Sequence, residues 1–182
     1  YGASEPQMNA NNLRTKGYEL VLGWRDSFKL AGSTFSYGIT GTFSDYTAEY
    51  TKCDNPTGLI GDPYVGKKYG EIWGYKVDGL FRNDKEATEY ASRIDLSTVA
   101  SGYYTATGAY GKGVRGGDIK YLDLNGDNIV NGGKGTLDDP GDRRVIGNSS
   151  PRYQYGASLN FSWYGFDVSV FMQGIGRLDW YP

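Results

Sequence analysis

At 182 residues the chain is long enough for one ordinary domain, and a net charge of −2 gives nucleic-acid binding no electrostatic support. Histidine is absent, which removes imidazole acid–base chemistry and histidine zinc sites, and the single cysteine, Cys53, has no intrachain disulfide partner. Glycine (28) and tyrosine (17) are abundant while mean hydropathy is only −0.55, a balance that fits β-structure and argues against a helix bundle.

No apolar run is long enough for a transmembrane helix. The chain opens at Tyr1 rather than Met and carries no signal peptide, so an exported protein of this sequence is expected to be an internal piece of a longer one.

The first predicted strand holds Tyr18, Leu20, Leu22 and Trp24 on one face, with Glu19, Val21 and Gly23 opposite. A short connection over 25–33 follows. In the second strand Phe35, Tyr37, Ile39, Gly41 and Phe43 alternate with an almost pure Ser/Thr/Gly face. That small polar face has nothing to pack against another sheet, but a water-filled lumen tolerates it.

The segment 45–152 is too long for a structureless loop. Extended pieces are predicted over 71–75, 77–81 and 118–122, and a helix over 85–94 capped by Asn83 or Asp84. Residues 101–117, rich in Gly, Tyr and Thr, read as an exposed loop. Tyr69, Trp73 and Tyr75 are a candidate platform for stacking a sugar, against the plainer role of a small core. Asp123, Asn125 and Asp127 place oxygens at alternate positions, with the carbonyl of Ile129 next, as at the start of an EF-hand calcium loop. Asn128 replaces the turn glycine and Lys134 stands where the closing acid belongs, so that acid must come from Asp138, Asp139 or Asp142. The alternative is an Asp/Asn/Gly turn held by its own hydrogen bonds. A bound calcium would be structural.

The last two strands alternate most cleanly. Tyr153, Tyr155, Ala157, Leu159, Phe161 and Trp163 face one way, the chain turns at Tyr164-Gly165, and Phe166, Val168, Val170 and Met172 continue that face opposite Asp167, Ser169 and Gln173, with Phe171 breaking the alternation. Such alternation suits either a soluble sandwich or a transmembrane barrel. The connections favour the barrel, with two short turns on the periplasmic side and one long insert outside. Trp24, Trp163 and Tyr164 are expected at the short-turn end, and Tyr46, Tyr50, Tyr153 and Tyr155 at the other. The chain is therefore read as mainly β, about four strands of a large antiparallel transmembrane β-barrel. Residues 1–44 and 153–182 each supply two strands, and 45–152 form an extracellular insert with short strands and a helix.

Several motifs together resemble the SusC/RagA-type TonB-dependent outer-membrane transporters. They are Thr15-Lys-Gly-Tyr-Glu-Leu20, Gly23-Trp-Arg-Asp26, Gly70-Glu-Ile-Trp-Gly-Tyr75, Asp78-Gly-Leu-Phe81, Asp118-Ile-Lys-Tyr121 and Asp123-Leu-Asn-Gly-Asp127. Then come Asp142-Arg-Arg-Val-Ile-Gly147, Pro151, Tyr155-Gly156, Gly165-Phe-Asp167 and Gln173-Gly174. In this sequence residues 131–140 lengthen the link between the Asp-Leu-Asn-Gly-Asp turn and Asp142.

The resemblance implies a late portion of a 22-stranded barrel in the outer membrane of a Gram-negative bacterium. It also implies partners: outer-membrane lipid, TonB acting through a plug region outside this sequence, and a SusD-like surface lipoprotein. The implied cargo is a glycan or peptide. The protein is read as a non-enzymatic importer. A secreted calcium-dependent carbohydrate-binding β-domain is the rival from another class, and a carboxylate glycosidase is a distant third.

Overall fold

A computed structural model describes residues 11–100 and 113–180. Its elements in chain order are β1 (Asn12–Leu30), β2 (Ser33–Lys52), β3 (Glu71–Tyr75), β4 (Val77–Leu80), α1 (Asp84–Ala91), β5 (Ile119–Tyr121), β6 (Arg143–Asn148), β7 (Arg152–Trp163) and β8 (Phe166–Arg177). The expected loop over 101–117 lies mostly outside the described residues. Two compact units result, one built on 12–51, 66–70 and 148–180, the other on 52–65 and 71–147.

The first unit is a four-stranded sheet in the order β1-β2-β7-β8, antiparallel from β2 to β8. The tight turn at Tyr164-Gly165 forms as expected, with both residues at positive φ (48° and 78°), as a type I′ hairpin requires. The first connection differs from expectation. Residues 25–30 and 33 are strand, and the turn is only Ala31-Gly32, again with both φ positive (49° and 84°). Charged and hydroxyl residues over 25–29 resemble a loop in composition, yet Arg25, Ser27 and Lys29 fall on the wet face of the strand, and Asp26 alone interrupts the row of Trp24 and Phe28 close to the turn. Trp24 consequently lies well inside β1 rather than at its end. Trp163 and Tyr164 do cap the turn end, donating to the carbonyls of Leu30 (3.3 Å) and Ala31.

Register fixes the faces. β2 meets β7 with Tyr37 opposite Phe161, Ile39 opposite Leu159 and Phe43 opposite Tyr155. β7 meets β8 with Phe161 opposite Val168, Leu159 opposite Val170 and Ala157 opposite Met172. On β1, Gly17 abuts Tyr46, Gly23 abuts Thr40 and Phe28 packs beside Phe35, so this register has no slip. One face is thus apolar across four strands, and its side chains remain exposed: Leu22 66%, Trp24 64%, Met172 53%. The other face carries Ser36, Gly38, Thr40, Thr42, Gly156, Ser158, Asn160 and Ser162.

The apolar band runs from Phe35 to Phe43 in β2, Tyr155 to Trp163 in β7 and Phe166 to Gly174 in β8, each close to the 9–11 residues a tilted strand needs to cross a bilayer. β2 continues beyond Ser44 to Lys52, past the end of β7. There the segment 66–70 replaces β7 as its neighbour, through the Glu49–Lys68 bridge and the bond from Tyr69 N–H to Ala48 O (2.9 Å).

The second unit has its own core of Phe81, Ala87, Leu96, Ala100, Val114 and Val130. Helix α1 starts where the cap was expected, Asn83 Oδ1 accepting the Glu86 N–H (3.0 Å), but ends at Ala91 instead of Ile94. Ile94 instead follows a turn and packs against the core. β4 pairs with β5 and β3 with β6, where Gly74 makes room for Ile146.

Candidate functional site

The Asp123–Asn131 turn is closed by its own side chains. Asp123 accepts the N–H groups of Gly126 (2.7 Å) and Asn128 (2.9 Å), Asn125 accepts that of Asp127 (3.1 Å), and Asp127 accepts that of Ile129 (2.8 Å). Asn128 takes the left-handed conformation (φ 65°) in place of the missing glycine. Asp142 is wholly buried beneath the turn, where it accepts N–H bonds from Leu124 (2.7 Å), Asn125 (3.3 Å) and Asn131 (2.8 Å). Its backbone N–H donates to Asn131 O (2.9 Å). The lengthened link therefore still delivers Asp142 to the turn, as an acceptor for backbone amides. Among the described residues no three acidic or sulfur side chains gather as a metal-holding group.

The three aromatics of the expected platform have separate settings. Trp73 Nε1 donates to Glu71 Oε1 (2.8 Å), which also accepts the Tyr64 hydroxyl. Burial first, then Glu71, pushes the Tyr64 phenol up to about 12, so it remains a donor at neutral pH. Tyr75 meets the Tyr121 ring edge-on at 6.0 Å and packs on the core. Tyr69 belongs to the first unit and is 55% exposed.

Two ionic features escaped the sequence pattern because their partners are far apart in the chain. Arg152 grips Asp45 through Nε (2.5 Å) and Nη2 (2.6 Å), and Asp45 is only 6% exposed. This fork joins β2 to the start of β7, just past the Phe43–Tyr155 pair that ends the apolar band. In the second unit Lys120 bonds Asp78 (3.0 Å) and Glu86 (3.4 Å) and lies over the Tyr90 ring. Asp78 above all holds the Lys120 ammonium above its ordinary pKa, and the Arg82 N–H holds the Glu86 carboxyl below its own.

No family model matches the chain. A TonB-dependent receptor of Formosa agariphila is 26% identical to it across 92% of this chain. The chain spans 17% of that protein's length.

Two outcomes follow from the geometry. Asp142→Ala takes the acceptor from three amides that bond the buried carboxylate and should cost the insert about 1–3 kcal/mol, read as a lower denaturant midpoint with an unchanged slope. Asp142→Asn, which keeps an acceptor, should cost less. Acid should also loosen this unit. The lowered pKa values of Glu86 and of Asp95, the latter held down by the Ser97 N–H, give stability that is present above the ordinary carboxylate range. It is lost as pH falls through the lowered values, below about pH 4. Glu86→Gln should make the acid limb of a melting profile shallower.

Proposed function

We propose that this chain is part of the wall and outer surface of a TonB-dependent outer-membrane importer in a Gram-negative bacterium. The observation that carries the reading is the exposed apolar band on one face of a sheet whose other face is small and polar on its two central strands, β2 and β7. In water that face would be a large uncovered patch. In a bilayer it is the lipid surface of a barrel, and the Ser/Thr/Gly face lines a wet lumen. The similarity to a TonB-dependent receptor supports the same assignment. β1 and β8 each leave an edge that further strands of a longer chain would pair.

Within this reading the Ala31-Gly32 and Tyr164-Gly165 turns face the periplasm and the insert faces outward. The finer assignment is a SusC/RagA-type transporter that moves a glycan or peptide, works with a SusD-like lipoprotein over the insert, and draws energy from TonB through a plug elsewhere in the chain. The sequence motifs from Thr15 to Gly174 support it. The role is transport, with no catalytic step.

In the full-length protein the chain should sediment with outer membranes, resist alkaline washing and require detergent for release. After Cys53→Ser, a membrane-impermeant maleimide should label Lys85→Cys on intact cells and leave Lys29→Cys unlabelled, whereas the reverse pattern would invert the topology. Leu159→Arg should destabilise the barrel by about 2–4 kcal/mol if it lies near the bilayer midplane.

Calcium belongs to the proposal as a structural ion on the Asp123–Asn131 turn, held by Asp123, Asn125, Asp127 and the Ile129 carbonyl above the buried Asp142. Weak affinity, about 10⁻⁴–10⁻³ M, suits an extracellular site without a closing acid at Lys134. Millimolar calcium should then raise the melting temperature of the wild type but not of Asp123→Ala. An unshifted wild type would leave the hydrogen-bonded turn as the whole account.

A further inference from the structure

We infer that Asn131 is a site of spontaneous covalent modification, where the Gly132 nitrogen closes a succinimide on the Asn131 side chain and the product frees the turn from Asp142. The inference does not depend on the transport reading.

Two Asn-Gly pairs flank the hydrogen-bonded turn, Asn125-Gly126 and Asn131-Gly132. In such a pair the glycine has no Cβ to hinder approach of the asparagine side chain to its nitrogen. That nitrogen loses its proton and bonds the asparagine Cγ, and the side-chain amide nitrogen leaves as ammonia. Water then opens the ring at either carbonyl, which gives aspartate or an isoaspartate whose backbone runs through the former side chain. The reaction needs a side chain folded back on its own peptide, an amide N–H that is not already held, and surroundings that accept its negative charge.

The two side chains are folded alike. Asn125 Oδ1 accepts the Asp127 N–H (3.1 Å) and Asn131 Oδ1 accepts the Gly133 N–H (2.6 Å). Each bond brings the side chain back along its own chain, polarises the carbonyl under attack and supplies a donor for the oxyanion that forms. The nucleophiles are opposite in setting. The Gly126 N–H donates to Asp123 Oδ1 (2.7 Å), so an anion formed there would face a carboxylate. The Gly132 N–H has no acceptor among the described residues, and the buried Asp142 carboxylate is engaged by the amides of Leu124, Asn125 and Asn131 instead. The carbonyl of the same peptide, Asn131 O, accepts the Asp142 N–H (2.9 Å), which draws charge from the Gly132 nitrogen. Arg143 Nη2 donates to Gly132 O (2.9 Å), and its guanidinium lies against Gly132, a cation beside the developing anion. Identical dipeptides thus differ in reactivity through the fold.

The product matters because Asn131 grips Asp142 on both sides of its Cα. Its N–H donates to Asp142 Oδ2 (2.8 Å) and its C=O accepts the Asp142 N–H. Isoaspartate puts one more methylene between those two groups, so both bonds cannot be kept. It also brings a new carboxylate beside the wholly buried Asp142. The turn then loses its hold on the acid beneath it.

The test uses the full-length protein, purified from outer membranes in detergent and aged at mildly alkaline pH in water enriched in heavy oxygen. Peptide mapping by mass spectrometry reads how much of each asparagine has become labelled acid, and a parallel sample is aged in denaturant. In the folded protein Asn131 should convert about tenfold or more faster than Asn125, whereas the denatured chain should convert the two at similar rates. A folded-state ratio no greater than that of the denatured chain would overturn the inference, as would an Asn131 that stays an amide while the denatured chain reacts. Ageing should also lower the melting temperature of the wild type and leave Asn131→Ser, which cannot close the ring, unchanged. Equal losses in the two proteins would overturn the claimed release from Asp142.

Discussion

The structure depends on a solvent constraint that acts on alternate residues. In the four-stranded sheet one face carries an exposed, mostly apolar row on every strand, while the side chains between are mostly small and polar on β2 and β7, with Phe171 of β8 an exception. A soluble sheet would bury the apolar face under a second layer, and no described element does so. Turned toward lipid, the same face satisfies itself, and the backbone amides are already paired within the sheet. The type I′ turns then follow as the shortest connections between strands that must both cross the same thickness.

The edges of the apolar band are chemical boundaries. Trp163 and Tyr164 close it at the turn end, each hydrogen-bonded to the neighbouring hairpin. At the other end the Asp45–Arg152 fork appears as soon as the apolar row stops. A buried carboxylate beside a guanidinium is well placed where lipid gives way to headgroups, and it fixes the register with which the chain returns to the sheet after the insert. Beyond the fork, β2 runs on past the end of β7 and pairs there with the segment 66–70. Asp142 gives the insert a comparable anchor, tying residues 124, 125 and 131 together from beneath.

Sequence reading recovered what depends on local pattern. Alternation from Tyr153 to Met172 located β7, β8 and their turn, and Asn83 located the start of α1. It failed where composition and conformation part company: Arg25, Asp26, Ser27 and Lys29 look like a loop but lie in β1. It also failed where function depends on distant partners. Asp142 was singled out as a candidate calcium ligand, not as the acceptor of three backbone amides, and nothing local pairs Asp45 with Arg152 across the insert. Tyr69, Trp73 and Tyr75 seemed one cluster by proximity in sequence. In the fold Trp73 is tied to Glu71, Tyr75 packs on the core, and Tyr69 pairs through its backbone with Ala48 of β2 in the other unit.

The central claim is that one face of this sheet meets lipid and the other water. It is tested most directly by a nitroxide scan along residues 19–24 of the full-length protein reconstituted in bilayers. Accessibility to oxygen should peak at positions 20, 22 and 24, and accessibility to a water-soluble nickel chelate at 19, 21 and 23, the two profiles out of phase with period two. Profiles that rise and fall together, or a nickel signal strongest at 20, 22 and 24, would contradict it.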